Sequence, residues 1–111
     1  MSRLAVIGGT GLNKLVNLEN ISKRVIKTPY GEPSSPVTLG QLNGVDIVFM
    51  ARHGYGHTIP PHRINYRANM WALKEVGITD VVAVAAVGSI NRSMPPASLV
   101  LPDQLIDHTW G

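Results

Sequence analysis

Ala51-Arg52-His53-Gly54-Tyr55-Gly56-His57-Thr58-Ile59-Pro60-Pro61-His62-Arg63-Ile64-Asn65-Tyr66-Arg67-Ala68-Asn69-Met70-Trp71-Ala72-Leu73-Lys74 is the stretch from which the rest of the chain can be read. Ahead of it stands the apolar run Val45 to Met50, which reads as a strand, and within it a Gly- and Pro-rich loop surrounds an adjacent Arg and His. Ile64, Ala68, Trp71, Ala72 and Val76 then fall on one face of a helix, and Gly77 is its expected stop. A strand, a loop carrying cationic donors and a helix behind it make a plausible way to build an anion site.

Upstream, Val37 to Leu42 and Val45 to Met50 flank Asn43-Gly44. That dipeptide between apolar runs predicts a two-residue hairpin, because both central positions of a type I′ turn need positive φ. Leu4-Ala5-Val6-Ile7 reads as a short buried strand that enters a glycine loop, Gly8-Gly9-Thr10-Gly11. Ile21 to Lys27 alternates weakly, and Pro29 to Pro36 is too rich in turn residues to be helix. Downstream, Val81 to Val87 has no polar alternation, as expected of a strand covered on both faces. Leu99 to Asp103 reads as strand plus turn, and after Leu105-Ile106 the chain reaches Trp110-Gly111 where a further element would be expected. Strands, a hairpin and an intervening helix give an α/β class with a mixed sheet.

At 111 residues and 12.0 kDa the chain has the length of one small domain. Its 44% hydrophobic and 15% charged residues argue against disorder. The net charge of +3 comes from scattered Lys and Arg, not a basic run, so no nucleic-acid partner is expected. Having no cysteine, the chain has no disulfide, thiolate metal site or Cys nucleophile. No stretch approaches the ~20 apolar residues of a membrane span, and Met1 to Ile7 is too short an apolar lead for a signal peptide. No membrane partner and a cytoplasmic location are the expectations.

Three alternatives bear on the polar motifs. A dinucleotide-binding loop would want a glycine where Lys14 stands and an acidic residue near Lys27. Arg-His-Gly also occurs in histidine phosphatases, where it follows the first strand and not a hairpin strand. A metal site built on His53, His57 and His62 would have Arg52 and Arg63 beside it, no carboxylate within the cluster, and no standard zinc spacing. Neither metal nor organic cofactor is expected.

The glycine loop, the Thr28-Pro29-Tyr30-Gly31 turn, Arg52-His53-Gly54, Asn65-Tyr66-Arg67-Ala68-Asn69 and the apolar strand into Gly88-Ser89 together resemble the trimeric purine nucleoside phosphorylases. Within that family the likeness is to the methylthioadenosine and bacterial methylthioinosine phosphorylases, and it runs over essentially the whole chain. The resemblance implies a phosphorylase/hydrolase-like fold, a central mixed sheet flanked by helices, of which residues 1–111 are the N-terminal half of a single domain. It implies phosphorolysis of a 5′-methylthio purine nucleoside to the free base and 5-methylthioribose 1-phosphate in purine salvage, with inorganic phosphate as co-substrate and a homotrimer as the assembly.

Carried over position by position, the family's phosphate ligands are Thr10, Arg52, His53 and the pair Ala85-Ala86. Relatives tend to place a hydroxyl or an Asn where Ala85 stands, so only backbone N–H contacts are implied at that point. Family members are about twice this long, and their residues for base and sugar lie in the later half. No catalytic acid is therefore assigned, and Asp103 and Asp107 are read as loop residues. The purine preferred stays open, as does the alternative that the chain is a non-catalytic phosphate-binding or subunit-association piece, or part of a general purine nucleoside phosphorylase. An isolated half of such a domain would leave Val81 to Val87 exposed.

Overall fold

The computed structural model describes residues 3–10, 12 and 17–108. Gly11, Lys14 and Trp110-Gly111, each used in the sequence reading, lie outside the described residues. Five strands form one sheet among those described: β1 (Leu4–Gly8), β2 (Glu19–Arg24), β3 (Val37–Leu42), β4 (Val45–Ala51) and β5 (Asp80–Ala83), in the spatial order β2-β3-β4-β1-β5. β2, β3 and β4 are antiparallel neighbours, whereas β1 runs parallel to both β4 and β5. The sheet is thus mixed, as expected.

The predicted hairpin is present. Asn43 and Gly44 have φ of 51° and 78°, and Leu42 faces Val45 across the turn. A Cβ on Gly44 would meet nothing within 4 Å, so the cost of a side chain there is conformational only. Gly44→Ala is expected to lower stability by about 1–2 kcal/mol, read as a shift in denaturant midpoint without a change in slope.

The helix α1 (Tyr66–Glu75) starts and stops by side-chain and backbone devices that its sequence encodes. Asn65 caps it by accepting the Ala68 N–H at 3.1 Å. At the other end Gly77 takes φ of 85°, its N–H donates to the Lys74 carbonyl at 3.0 Å, and the Ile78 N–H donates to the Leu73 carbonyl at 3.1 Å. This is a Schellman closure, which uses glycine because a left-handed residue is required there. Arg3 fastens the same end, its guanidinium donating to the Val76 carbonyl at 2.6 Å.

Period-two alternation sends Ala5 and Ile7 of β1, Val48 and Met50 of β4, and Val37 and Leu39 of β3 to one face of the sheet. Ala72, Leu73 and Val76 of α1 pack onto that face with Ile26, and Trp71 and Ile78 border it. Ile64 is buried as expected, while Trp71 is only half-buried. On the opposite face Phe49 is 1% exposed. Leu18 lies over Gly40 there, with its Cγ 2.5 Å from where a Cβ would stand.

Two expectations need correction. β5 ends at Ala83 and does not continue to Val87, and all four of its residues are exposed instead of covered on both faces. The Val84 N–H still donates to the Ile7 carbonyl at 2.9 Å, but β1 turns away at Gly8 and leaves no partner for a longer ladder. Residues 99–103 likewise form no strand, with Leu99 and Leu101 nearly fully exposed. A strand needs a neighbour for its backbone groups, and none lies beside this segment among the described residues. The exposure of Val81, Val82, Val84 and Val87 agrees with the expectation for an isolated half.

Candidate functional site

β4, β1 and β5 are adjacent and parallel, so their carboxyl ends open at one edge of the sheet. Gly8 faces Ala51 and Ile7 faces Ala83 in the ladder, so Val84 comes level with Gly8, and Arg52, Gly9 and Ala85 follow one step further along. Ligands of open α/β sheets gather at such carboxyl ends. The three segments singled out from sequence meet there as anticipated, although they are 32 or more positions apart along the chain at their nearest.

Arg52 ties the three together. Its backbone N–H donates to the Gly8 carbonyl at 2.9 Å. Its side chain crosses β1 and donates from Nη1 to the Val84 carbonyl at 3.2 Å. The guanidinium lies directly over Gly9, where a Cβ would stand 1.9 Å from Nη2 and 2.8 Å from Cζ. Gly9 is therefore required for close approach and not for an unusual backbone conformation. One of the guanidinium's five N–H donors is engaged by Val84, and the fork retains others for an anion.

His53 sits in a loop closed at several points. The Gly54 N–H donates to the Ala51 carbonyl and the His57 N–H to the Gly54 carbonyl, each at 3.0 Å, with positive φ at both Gly54 and His57. Thr58 and Ile59 both donate their N–H to the His53 carbonyl, and the Ile59 carbonyl stands 2.8 Å from His53 Nδ1. The His53 and His57 rings meet edge to face with centroids 5.0 Å apart. Among the described residues no group of three or more His, Asp or Glu could hold a metal ion.

Thr10 is an exposed turn residue directly after Gly9. Ala85 and Ala86 are exposed and irregular, directly after the Val84 carbonyl that Arg52 engages. All five candidates are thus at one sheet edge, with Arg52 making the bridging contact.

Beneath the loop, the remaining motifs join into one scaffold. Asn69, 3% exposed, accepts the Ser34 N–H at 2.8 Å and donates to Ser34 Oγ at 3.0 Å. The neighbouring Ser35 Oγ accepts the N–H of Ala51, the residue before Arg52, at 3.3 Å. Asn65 donates to the Tyr30 carbonyl at 2.7 Å, and Thr28 closes its own turn through a 2.6 Å bond to the Gly31 carbonyl. Asn65 and Asn69, placed by type and position to cap or buttress the loop, do so: Asn65 caps α1 and braces the Tyr30 turn, and Asn69 braces Ser34. Sequence reasoning missed Tyr55, whose hydroxyl bonds Thr38 Oγ1 and the Pro36 carbonyl while Lys23 Nζ stands 4.7 Å from its ring centroid. A polar residue on the buried face of a helix was the available sign for Asn69; Tyr55 offered none.

Over residues 3–111 the chain matches the family described as the phosphorylase superfamily. The chain belongs to that superfamily. It is 53% identical over 108 residues to a probable S-methyl-5′-thioinosine phosphorylase of Xanthomonas campestris, covering 97% of this chain and 43% of the relative. An S-methyl-5′-thioadenosine phosphorylase of Hyperthermus butylicus is 53% identical over 106 residues, which are 96% of this chain and 39% of that one. Among solved structures, methylthioadenosine phosphorylase from Schistosoma mansoni in complex with adenine superposes with a TM-score of 0.81 at 38% identity, covering 86% of this chain and 35% of the other. This member of the superfamily spans less than half the length of these relatives.

Proposed function

We propose that this chain forms the phosphate-binding part of a phosphorylase acting on 5′-methylthio purine nucleosides. The observation that carries the reading is Arg52, laid over Gly9 and braced on the Val84 carbonyl at the carboxyl ends of three parallel strands. In this reading an oxygen of hydrogenphosphate attacks the anomeric carbon, the glycosidic bond to the purine nitrogen breaks, and the base leaves with the bonding electrons and takes up a proton, balanced by the one the phosphate group gives up to solvent. The protein holds the nucleophile in position and needs no covalent intermediate. Arg52 and His53 hold the anion, Thr10 adds a hydroxyl, and the backbone at Ala85-Ala86 closes the cradle. The names of the relatives support the substrate class, with methylthioinosine and methylthioadenosine both represented. A homotrimer in the cytoplasm, serving nucleoside salvage, belongs to the same proposal.

A second reading has its own support. The exposed apolar β5 favours a subunit-association or phosphate-binding piece that does not turn over by itself. Phosphate-dependent release of hypoxanthine from 5′-methylthioinosine, or adenine from 5′-methylthioadenosine, separates the two. Release by the purified 111-residue chain is the outcome expected of a working phosphorylase, and the faster substrate names the purine. Phosphate binding without release leaves the second reading. Neither binding nor release overturns both.

A further inference from the structure

The hydrogen bond between His53 and the Ile59 carbonyl determines what His53 can offer an anion. A carbonyl oxygen only accepts, so Nδ1, 2.8 Å away, must carry the proton. In the neutral ring the other nitrogen, Nε2, then has a lone pair and no proton. The tautomer is held from both sides of the loop, since the Ile59 N–H also donates to the His53 carbonyl at 3.0 Å. Nε2 of neutral His53 is therefore a hydrogen-bond acceptor, and it becomes a donor only in the imidazolium.

Resting on the phosphate reading above, we infer that neutral His53 makes the site selective for a tetrahedral dianion that carries its own proton. Hydrogenphosphate and hydrogenarsenate have one hydroxyl, which donates to Nε2. Sulfate has the same charge and shape but no hydroxyl near neutral pH, so an oxygen of sulfate meets a lone pair. The contact also orients the nucleophile: the P–OH turns to His53, and the unprotonated oxygens face Arg52, the backbone donors and the anomeric carbon. No proton is gained or lost in this arrangement, which needs only a choice of rotation about the phosphate.

Toward neutral His53, sulfate has no partner while hydrogenphosphate keeps one. The polar neighbours of His53 are Arg52, next to it in the chain, and His57, whose ring is 5.0 Å away.

The test is titration of the 111-residue chain with sodium phosphate and with sodium sulfate at about pH 8.5, where both anions are dianions and an ordinary imidazole is neutral. Sulfate is expected to bind at least about tenfold more weakly than phosphate, the size of one hydrogen bond to a charged group. His53→Gln, whose amide can present either N–H or C=O, should bring the two affinities together. His57→Gln should keep the wild-type preference. Ring nitrogen–proton NMR correlations at about pH 8.5 give a second readout independent of ligand, with the Nδ1–H tautomer expected for His53. Equal affinity for the two anions in the wild-type chain, or an Nε2–H tautomer, overturns the inference while leaving the phosphate site intact. If neither anion binds, or if Arg52→Ala binds phosphate like wild type, the phosphate reading itself fails and this inference falls with it.

Discussion

Arg52→Ala is expected to raise the Michaelis constant for phosphate by about a hundredfold while changing that for the nucleoside far less. Removing a positioned cationic donor from a bound anion costs about 3 kcal/mol, which corresponds to that factor. The split is the informative part, because Arg52 lies at the carboxyl ends of β4, β1 and β5, where the proposed anion sits, and its side chain is braced there on Val84. Steady-state kinetics with each substrate varied in turn reads it. For a chain that does not turn over, direct titration with phosphate reads the same loss. Equal effects on both Michaelis constants would place Arg52 away from phosphate.

Gly9→Ala should reproduce much of that loss by a different route, with phosphate affinity falling by about tenfold or more and stability nearly unchanged. The new methyl would stand 1.9 Å from Arg52 Nη2 and 2.8 Å from Cζ. The obstructing atoms belong to the far end of a flexible side chain, so the guanidinium moves away and the fold remains. Gly9 is not in the left-handed region, so alanine carries no backbone strain there. One donor displaced from an anion accounts for about 1.4 kcal/mol or more. Gly8→Ala is the contrasting variant. A Cβ there would lie 2.1 Å from the Leu12 carbonyl oxygen and 2.9 Å from the Phe49 ring, neither of which yields readily, so stability falls along with binding. Phosphate titration beside thermal unfolding distinguishes the two glycines; a Gly9→Ala chain that binds phosphate like wild type would show that Arg52 does not need its present course over β1.

Much of the fold was legible because its signals are local. Asn43-Gly44 demands a turn with two positive φ values whatever lies around it. Asn65 at the helix start and Gly77 at its end each satisfy backbone groups within a few residues of themselves. Of the candidate site, Thr10, Arg52, His53, Ala85 and Ala86 were found through a family resemblance, since residue type and spacing left each motif ambiguous. What escaped was whatever depends on a distant partner: a capping or buttressing role suits Asn65 and Asn69 by type and place, but that does not give Ser34 as the partner of Asn69, and nothing in the sequence around Tyr55 announces Thr38.

The apolar run Val81 to Val87 shows the same division from the other side. Its composition is that of a strand buried in a parallel sheet, yet strand structure stops at Ala83 because β1 turns away at Gly8. By itself the sequence determined the hairpin, the capped helix, the strand identities of β1 and β4, and the glycine that leaves space beside the first strand. Each of these is settled by φ preferences and short-range hydrogen bonds. Only the tertiary structure decided that Arg52 crosses β1 to Val84, that Ile59 sets the His53 tautomer, and that Ser35 holds the backbone leading into both. Those contacts join segments whose proximity arises from sheet order and loop closure, which no local preference encodes.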